Sequence, residues 1–191
     1  MDYSETIRKM KDDGVVFAEG LTESEFVLIE QKYDFCFPPD LKEFLSITLP
    51  TSNQFINWRD MSKRNVQLIQ ERFDWCLQGM LFDVEHNNFW LQEWGVKPVD
   101  LEAAKGKCIV QYRNAPKLIP IYSHRYIPET PFEAGNPILS VHQTDIIYYG
   151  ENLHSYLMVE FDLKKYDQID FYSIKRIPFW SDIIEMWETE I

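Results

Sequence analysis

Between Leu118 and Tyr149 the chain carries three short apolar runs, LIPIY at 118–122, PILSV at 137–141 and IIYY at 146–149, each closed off by prolines or polar residues. Runs of this length, bounded by turn signals, are too short for helices and read as buried strands. They are expected to be neighbours in an antiparallel sheet. On both sides of this block the apolar spacing becomes helical. Helices bracketing a central group of strands give an α+β fold, a central antiparallel sheet flanked by helices, rather than a βαβ alternation.

The first helical signals are complete. Thr22 and Glu25 have the spacing of a capping box, with Leu21 and Phe26 placed as a hydrophobic staple across it. The helix that follows turns Phe26, Ile29 and Tyr33 to one side. Pro38 and Pro39 suit the start of a second helix, with Leu41, Phe44 and Leu45 inward, and Pro50 stops it. From Ser62, the spacing of Val66, Ile69, Phe73, Cys76, Leu77 and Met80 gives one apolar stripe and a helix of roughly five turns. Lys63, Arg64 and Arg72 fall off that stripe, onto an expected solvated face. Phe89, Trp90, Leu91 and Trp94 read as a buried loop or short strand, and Asp100 caps a helix bearing Leu101, Ala104, Cys108 and Tyr112. Gly150 ends the third apolar run, and ENLHS opens a helix with Leu153, Tyr156, Leu157 and Phe161 at helical spacing. A strand over 171–177 and a helix capped by Ser181, bearing Ile183, Ile184 and Trp187, complete the expected order.

A chain of 191 residues without repeats or a Gly/Ser linker is expected to form one domain over 1–191. Its aromatic content of 15% supplies enough packing surface that no metal or disulfide is needed as a staple. Cys36, Cys76 and Cys108 are odd in number and set among apolar residues, and read as reduced core thiols. With charges of both signs in MDYSETIRKMKDD and no long apolar run, the chain is expected to be cytoplasmic, without membrane contact. The formal net charge of -12 repels phosphate backbones and so argues against nucleic-acid binding. That charge lies at the two ends: residues 1–50 hold 11 acids and 5 bases, 51–117 hold 8 and 9, and 118–191 hold 12 and 5. Such a distribution aids solubility, and it also suits a partner with a basic surface.

Chemistry-bearing patterns are sparse. Ser140, His142 and Asp145 have the residue types of a hydrolase, but side chains two apart on one strand project in parallel about 6–7 Å apart, beyond the reach nucleophile activation requires. His86, His124, His142 and His154 form no helical i, i+4 pair and no CxxC exists, so no metal site is expected. No GxGxxG or Walker-type loop is present, and no cofactor is expected. His124, Arg125 and Tyr126, followed by Pro128 and Pro131, read as an exposed loop of binding-competent residue types. Arg125 could instead pair internally with Asp145 or Glu160. With His142, Asp145 and Tyr149, these three residues make up the candidate partner-binding set.

The segments LTESEFVLIEQKYDFCFPPDLKEFL at 21–45, LIPIY, GNPILSVHQTDIIYYG and YLMVEF resemble the SUKH superfamily, the Smi and Knr type domain. In that family a capped helix, an F-P-x-D turn and a second helix precede an antiparallel sheet, matched here by Thr22, Phe37, Pro38, Asp40 and Phe44. The likeness spans about 15–161, leaving a C-terminal strand and helix at 162–191. Where many members carry Asn-Gly after the second helix, this chain has LPTSNQ at 49–54. The resemblance implies a protein-binding module without catalytic residues. Many bacterial members are similar to immunity proteins that neutralise partner toxins, often nucleases, and fungal members are regulatory scaffolds. Either role implies a protein partner, and a basic toxin would suit the acidic surface.

Overall fold

The computed structural model describes residues 2–52 and 54–188, so Asn53 of the LPTSNQ segment lies outside the described residues. Helix α1 (Ser4–Asp12) is followed by strand β1 (Phe17–Glu19), α2 (Glu23–Tyr33), α3 (Pro39–Ile47) and β2 (Thr48–Pro50). The capping box forms: the Thr22 hydroxyl accepts from the Glu25 amide at 3.3 Å, and the Glu25 carboxylate accepts from the Thr22 amide at 2.8 Å. Arg59 then binds that carboxylate at 2.5 Å and donates to the carbonyls of Glu19 and Gly20. The Arg59 and Thr22 hydrogen bonds hold the Glu25 carboxyl down at about 2. Phe26, Ile29 and Tyr33, and Leu41, Phe44 and Leu45, are all buried. The second helix ends before Pro50, because Thr48–Pro50 pairs antiparallel with Phe17–Glu19. Gly20 permits this crossing, since a Cβ there would lie 1.9 Å from the Ser46 carbonyl oxygen.

The central sheet has four antiparallel strands in the order β3 (Leu118–Tyr122), β4 (Arg125–Pro128), β5 (Ile138–His142), β6 (Asp145–Gly150). Strand β4 corrects the reading of 124–126 as an exposed loop. Arg125 is 8% exposed and Tyr126 is fully buried, because Arg125 pairs across to Ser140 and Tyr126 to Leu139 inside the sheet. Tight turns join the strands at Ser123-His124 and Gln143-Thr144, between the register pairs Tyr122 with Arg125 and His142 with Asp145. Ser123 and Gln143 occupy the left-handed region, at φ 49° and 58°.

Alternation along the strands divides the core. Ile119, Ile121, Ile127 and Ile138 join Tyr3, Phe26, Phe37, Phe44 and Trp58 on one face. Leu118, Tyr126, Leu139, Val141 and Ile146 join Cys76, Met80, Cys108, Trp180 and Ile183 on the other. The sheet is therefore a middle layer, with α1, α2, α3 and α6 (Leu153–Glu160) contributing to the first side, α5 (Leu101–Asn114) and α7 (Trp180–Glu188) to the second, and α4 (Lys63–His86) to both, through Ile69 and Phe73 on the first and Cys76, Met80 and Val84 on the second.

Helix α4 runs 24 residues, longer than the apolar stripe predicts, because Val84 continues it inward. It sits across both hairpin turns. Arg72, expected on a solvated face, donates to the Ser123 carbonyl at 2.6 Å, while its own carbonyl accepts from the Tyr126 hydroxyl at 3.0 Å. Gly79 lies so close to the second turn that a Cβ would stand 2.7 Å from the Gln143 Cα. The buried Asp83 carboxylate accepts from the Thr144 amide at 2.8 Å and hydroxyl at 2.7 Å. From α7, the Trp187 indole donates to the Thr144 carbonyl at 2.7 Å.

Three further expectations are corrected. Residues 171–177 form no strand: Phe171–Ser173 is a single 3-10 turn on the surface, and only Ile177 of that stretch is buried. Helix α7 starts at Trp180, ahead of Ser181, whose buried hydroxyl accepts from the Ile177 amide at 2.8 Å. Cys36 is exposed, since the backbone turns its neighbours Phe35 and Phe37 inward instead. Burial pushes the Cys76 and Cys108 thiols up to about 12 and about 11. Among the described residues no helix is long and apolar enough to cross a membrane.

Replacing Asp83 by Ala leaves the Thr144 amide and hydroxyl buried without an acceptor. The expected loss is on the order of 2–4 kcal/mol in urea unfolding, with Thr144→Val losing less. An Asp83→Ala protein as stable as the parent would contradict the clamp.

Candidate interaction face at the hairpin end of the sheet

Arg125, Ser140 and Ile147 are cross-strand neighbours on β4, β5 and β6, on the face that carries the first core. Toward the hairpin turns that face is no longer apolar. The Arg125 guanidinium donates to Ser140 Oγ at 2.8 Å and to Glu160 Oε2 at 3.2 Å, touches His124 Nε2, and lies 3.8 Å over the Tyr149 ring. Its internal partner is thus Glu160, at the end of α6, rather than Asp145. With the two side chains only 10% and 17% exposed, the pair is mostly removed from water. Burial raises the Glu160 carboxyl, against the pull of Arg125. Burial lowers His124, and the charges of Arg125, His142 and Arg72 add to that effect.

Above this buried pair the surface opens. His142 and Asp145 are exposed on either side of the second turn, Ile147 is 42% exposed, and Tyr149 is half-buried. The sheet therefore gathers His124, Arg125, His142 and Asp145 toward the hairpin end, whereas Tyr149, near the far end of β6, is on the same side and joins them only through its ring against Arg125. Tyr126 does not belong with them. As the next residue on β4 after Arg125 it points to the opposite face and is sealed in the second core. The sequence reading did not include Ile147 or Tyr166. Tyr166 reaches over β6, its hydroxyl donating to the Tyr148 carbonyl at 3.0 Å. The exposed-side position of Ile147 was implicit in the strand alternation, whereas the Tyr166 contact depends on an irregular segment without periodicity.

Ser140 already accepts a hydrogen bond from Arg125, so its surroundings supply a cation where a nucleophile needs a base. A second serine has catalytic-looking company: Lys164 Nζ stands 2.9 Å from Ser155 Oγ. The same ammonium donates to Glu151 at 2.6 Å, however, and Glu151 also contacts the Ser155 hydroxyl and accepts from the Asp170 amide at 2.8 Å. Burial pushes the Glu151 carboxyl up, but these donors outweigh it and hold it at about 2. A lysine donating to both oxygens has no lone pair to receive the serine proton, so the cluster is a strut that fixes the 162–170 segment. Among the described residues no group of three metal-ligating side chains is assembled. A cleft of about 630 Å³ at the β3 side is bordered by Tyr33, Phe73 and Tyr112. Lys117 at its wall is taken up by the carbonyls of Tyr33 and Asp34.

Two ion pairs give opposite pH signatures. Arg125→Gln strands Glu160 and is expected to lose about 3–5 kcal/mol near neutral pH. That loss shrinks on acidification, because a carboxyl already raised in the folded state takes up a proton and ceases to be an unpaired charge. The Glu151 contribution runs the other way: its folded value is depressed, so stability is present above about 4.5 and is lost as pH falls toward about 2. Glu151→Gln should remove on the order of 3 kcal/mol at neutral pH and flatten that acid limb. Urea unfolding across roughly pH 2–8 measures both.

Comparison with protein-family models, with curated proteins and with solved structures finds no match to this chain.

Proposed function

We propose that this chain is a non-enzymatic, immunity-type binding protein that neutralises a basic partner toxin by stoichiometric occlusion in the cytoplasm. The observation that carries this reading is the hairpin end of the sheet. His142, Asp145 and Ile147 stand toward solvent there, with the half-buried Tyr149 farther along the same side of β6, on a backbone fixed from below by the Arg125–Glu160 pair and from behind by the α4 clamp. A preorganised surface of this kind loses little conformational freedom on binding. The net charge of -12 favours encounter with a basic protein, and a nuclease must present a basic cleft to its own substrate. The SUKH resemblance of 21–45 and 118–161 points the same way. A regulatory scaffold is the runner-up, and gene order separates the two, because an immunity gene lies beside its toxin gene.

Coexpression with the toxin encoded next to it should restore growth and give a one-to-one complex on gel filtration. Continued killing with no complex would refute the reading. The association rate should fall by tenfold or more as the Debye length drops from about 10 Å at 0.1 M salt to about 3 Å at 1 M. A salt-insensitive rate would remove charge from the mechanism.

A further inference from the structure

Residues 118–191 contain 5 basic side chains against 12 acidic ones, and the structure uses most of those bases internally. Arg125 pairs with Glu160, Lys164 with Glu151, Lys175 with Glu133, and Arg176 with Asp182 and Glu185. Lys165 remains exposed without an ion pair among the described residues. Asp145, Asp162 and Asp167 are likewise exposed and outside any described ion pair. The excess of acids in this third is thus left on carboxylates that no described ion pair engages.

Aromatic rings lead out of the buried pair into this field. From the guanidinium of Arg125 the path runs 3.8 Å to the Tyr149 ring, 5.4 Å on to Tyr166 and 5.7 Å on to Phe171. Exposure along the way reaches 40% at Tyr166, 45% at Phe171 and 102% at Tyr172. Tyr166 packs between Tyr149 and Phe171, yet much of the Phe171 ring and all of Tyr172 are left in water on a segment pinned at Glu151 and Tyr148. Exposed rings on the same segment as the unpaired Asp162 and Asp167, where Lys165 is the one exposed base among the described residues, match one chemistry well: a guanidinium, which stacks on a ring while donating to a carboxylate. Within this molecule Arg125 on Tyr149 already shows the stacked half of that arrangement.

We propose that the strip formed by Tyr166, Phe171 and Tyr172, with Asp162 and Asp167, is the docking surface for an arginine-rich segment of a basic protein. The proposal rests on the basic-partner reading above and adds the surface and the residue type that it engages. The test is amide chemical-shift mapping on the full chain, with nona-arginine as probe and nona-glutamate as control at low salt. The expected result is that nona-arginine shifts concentrate at 147–149 and 162–172, and that Phe171→Ala/Tyr172→Ala binds at least tenfold more weakly with an unchanged amide spectrum elsewhere. Asp162→Asn/Asp167→Asn should weaken binding and flatten its salt dependence. Shifts centred elsewhere, or undiminished binding by the aromatic variant, would overturn the strip and leave the basic-partner reading standing. No nona-arginine shifts anywhere would overturn both.

Discussion

A single buried carboxylate, Asp83, sets the geometry from which the rest follows. By accepting both donors of Thr144 it fixes the tip of the β5–β6 hairpin against α4. In a sheet whose side chains alternate between two cores, the placement of a turn decides which residues face which side. A slip of that hairpin by one residue would carry Ser140 and Ile147 into the apolar second core and turn Leu139 and Ile146 to the face that holds Arg125. Arg72 and Gly79 act on the same two turns within the same helix, so the clamp is distributed along one face of α4. The ionic pair on the far side of the sheet is possible only because this register holds.

Much of the architecture was legible in the residues. The capping box at Thr22, the proline start of α3, the apolar stripe of α4, the cap at Asp100, and the three long strands all have strong local signals, and all form. The errors share a physical origin. Strands β1 and β2 are three residues each and have no room for a periodic pattern. RYIP at β4 combines a charge with a proline, local features of a loop, and is made a strand by pairing on both sides. FYSIKRI at 171–177 has strand composition but pairs with neither edge of the sheet, and its first three residues form a 3-10 turn. Local propensity fails where tertiary pairing decides the outcome.

The candidate face shows the same division. Alternation placed Ser140 and His142 together, and Glu160 was one of two internal partners considered for Arg125. That Arg125 would be sunk beneath the surface while Tyr126 faced away could not be read without the register of β4. The consequence for chemistry is considerable. Ionic groups that look reactive in one dimension, Arg125 with Glu160 and Lys164 with Glu151 and Ser155, are mutually satisfied in three. The exposed polar groups lie above them on a frame they help to hold.

The outer strand β6 carries one more consequence. An edge strand offers unpaired backbone groups to any passing chain and is a route to runaway polymerisation. Here the Tyr166 phenol occupies the Tyr148 carbonyl and the Trp187 indole occupies that of Thr144, two acceptors flanking Ile146. Bulky rings at both positions leave too short a free stretch for a foreign strand to zip on. The β6 edge is thus guarded by side chains from outside it, without a proline or a lysine in the strand itself.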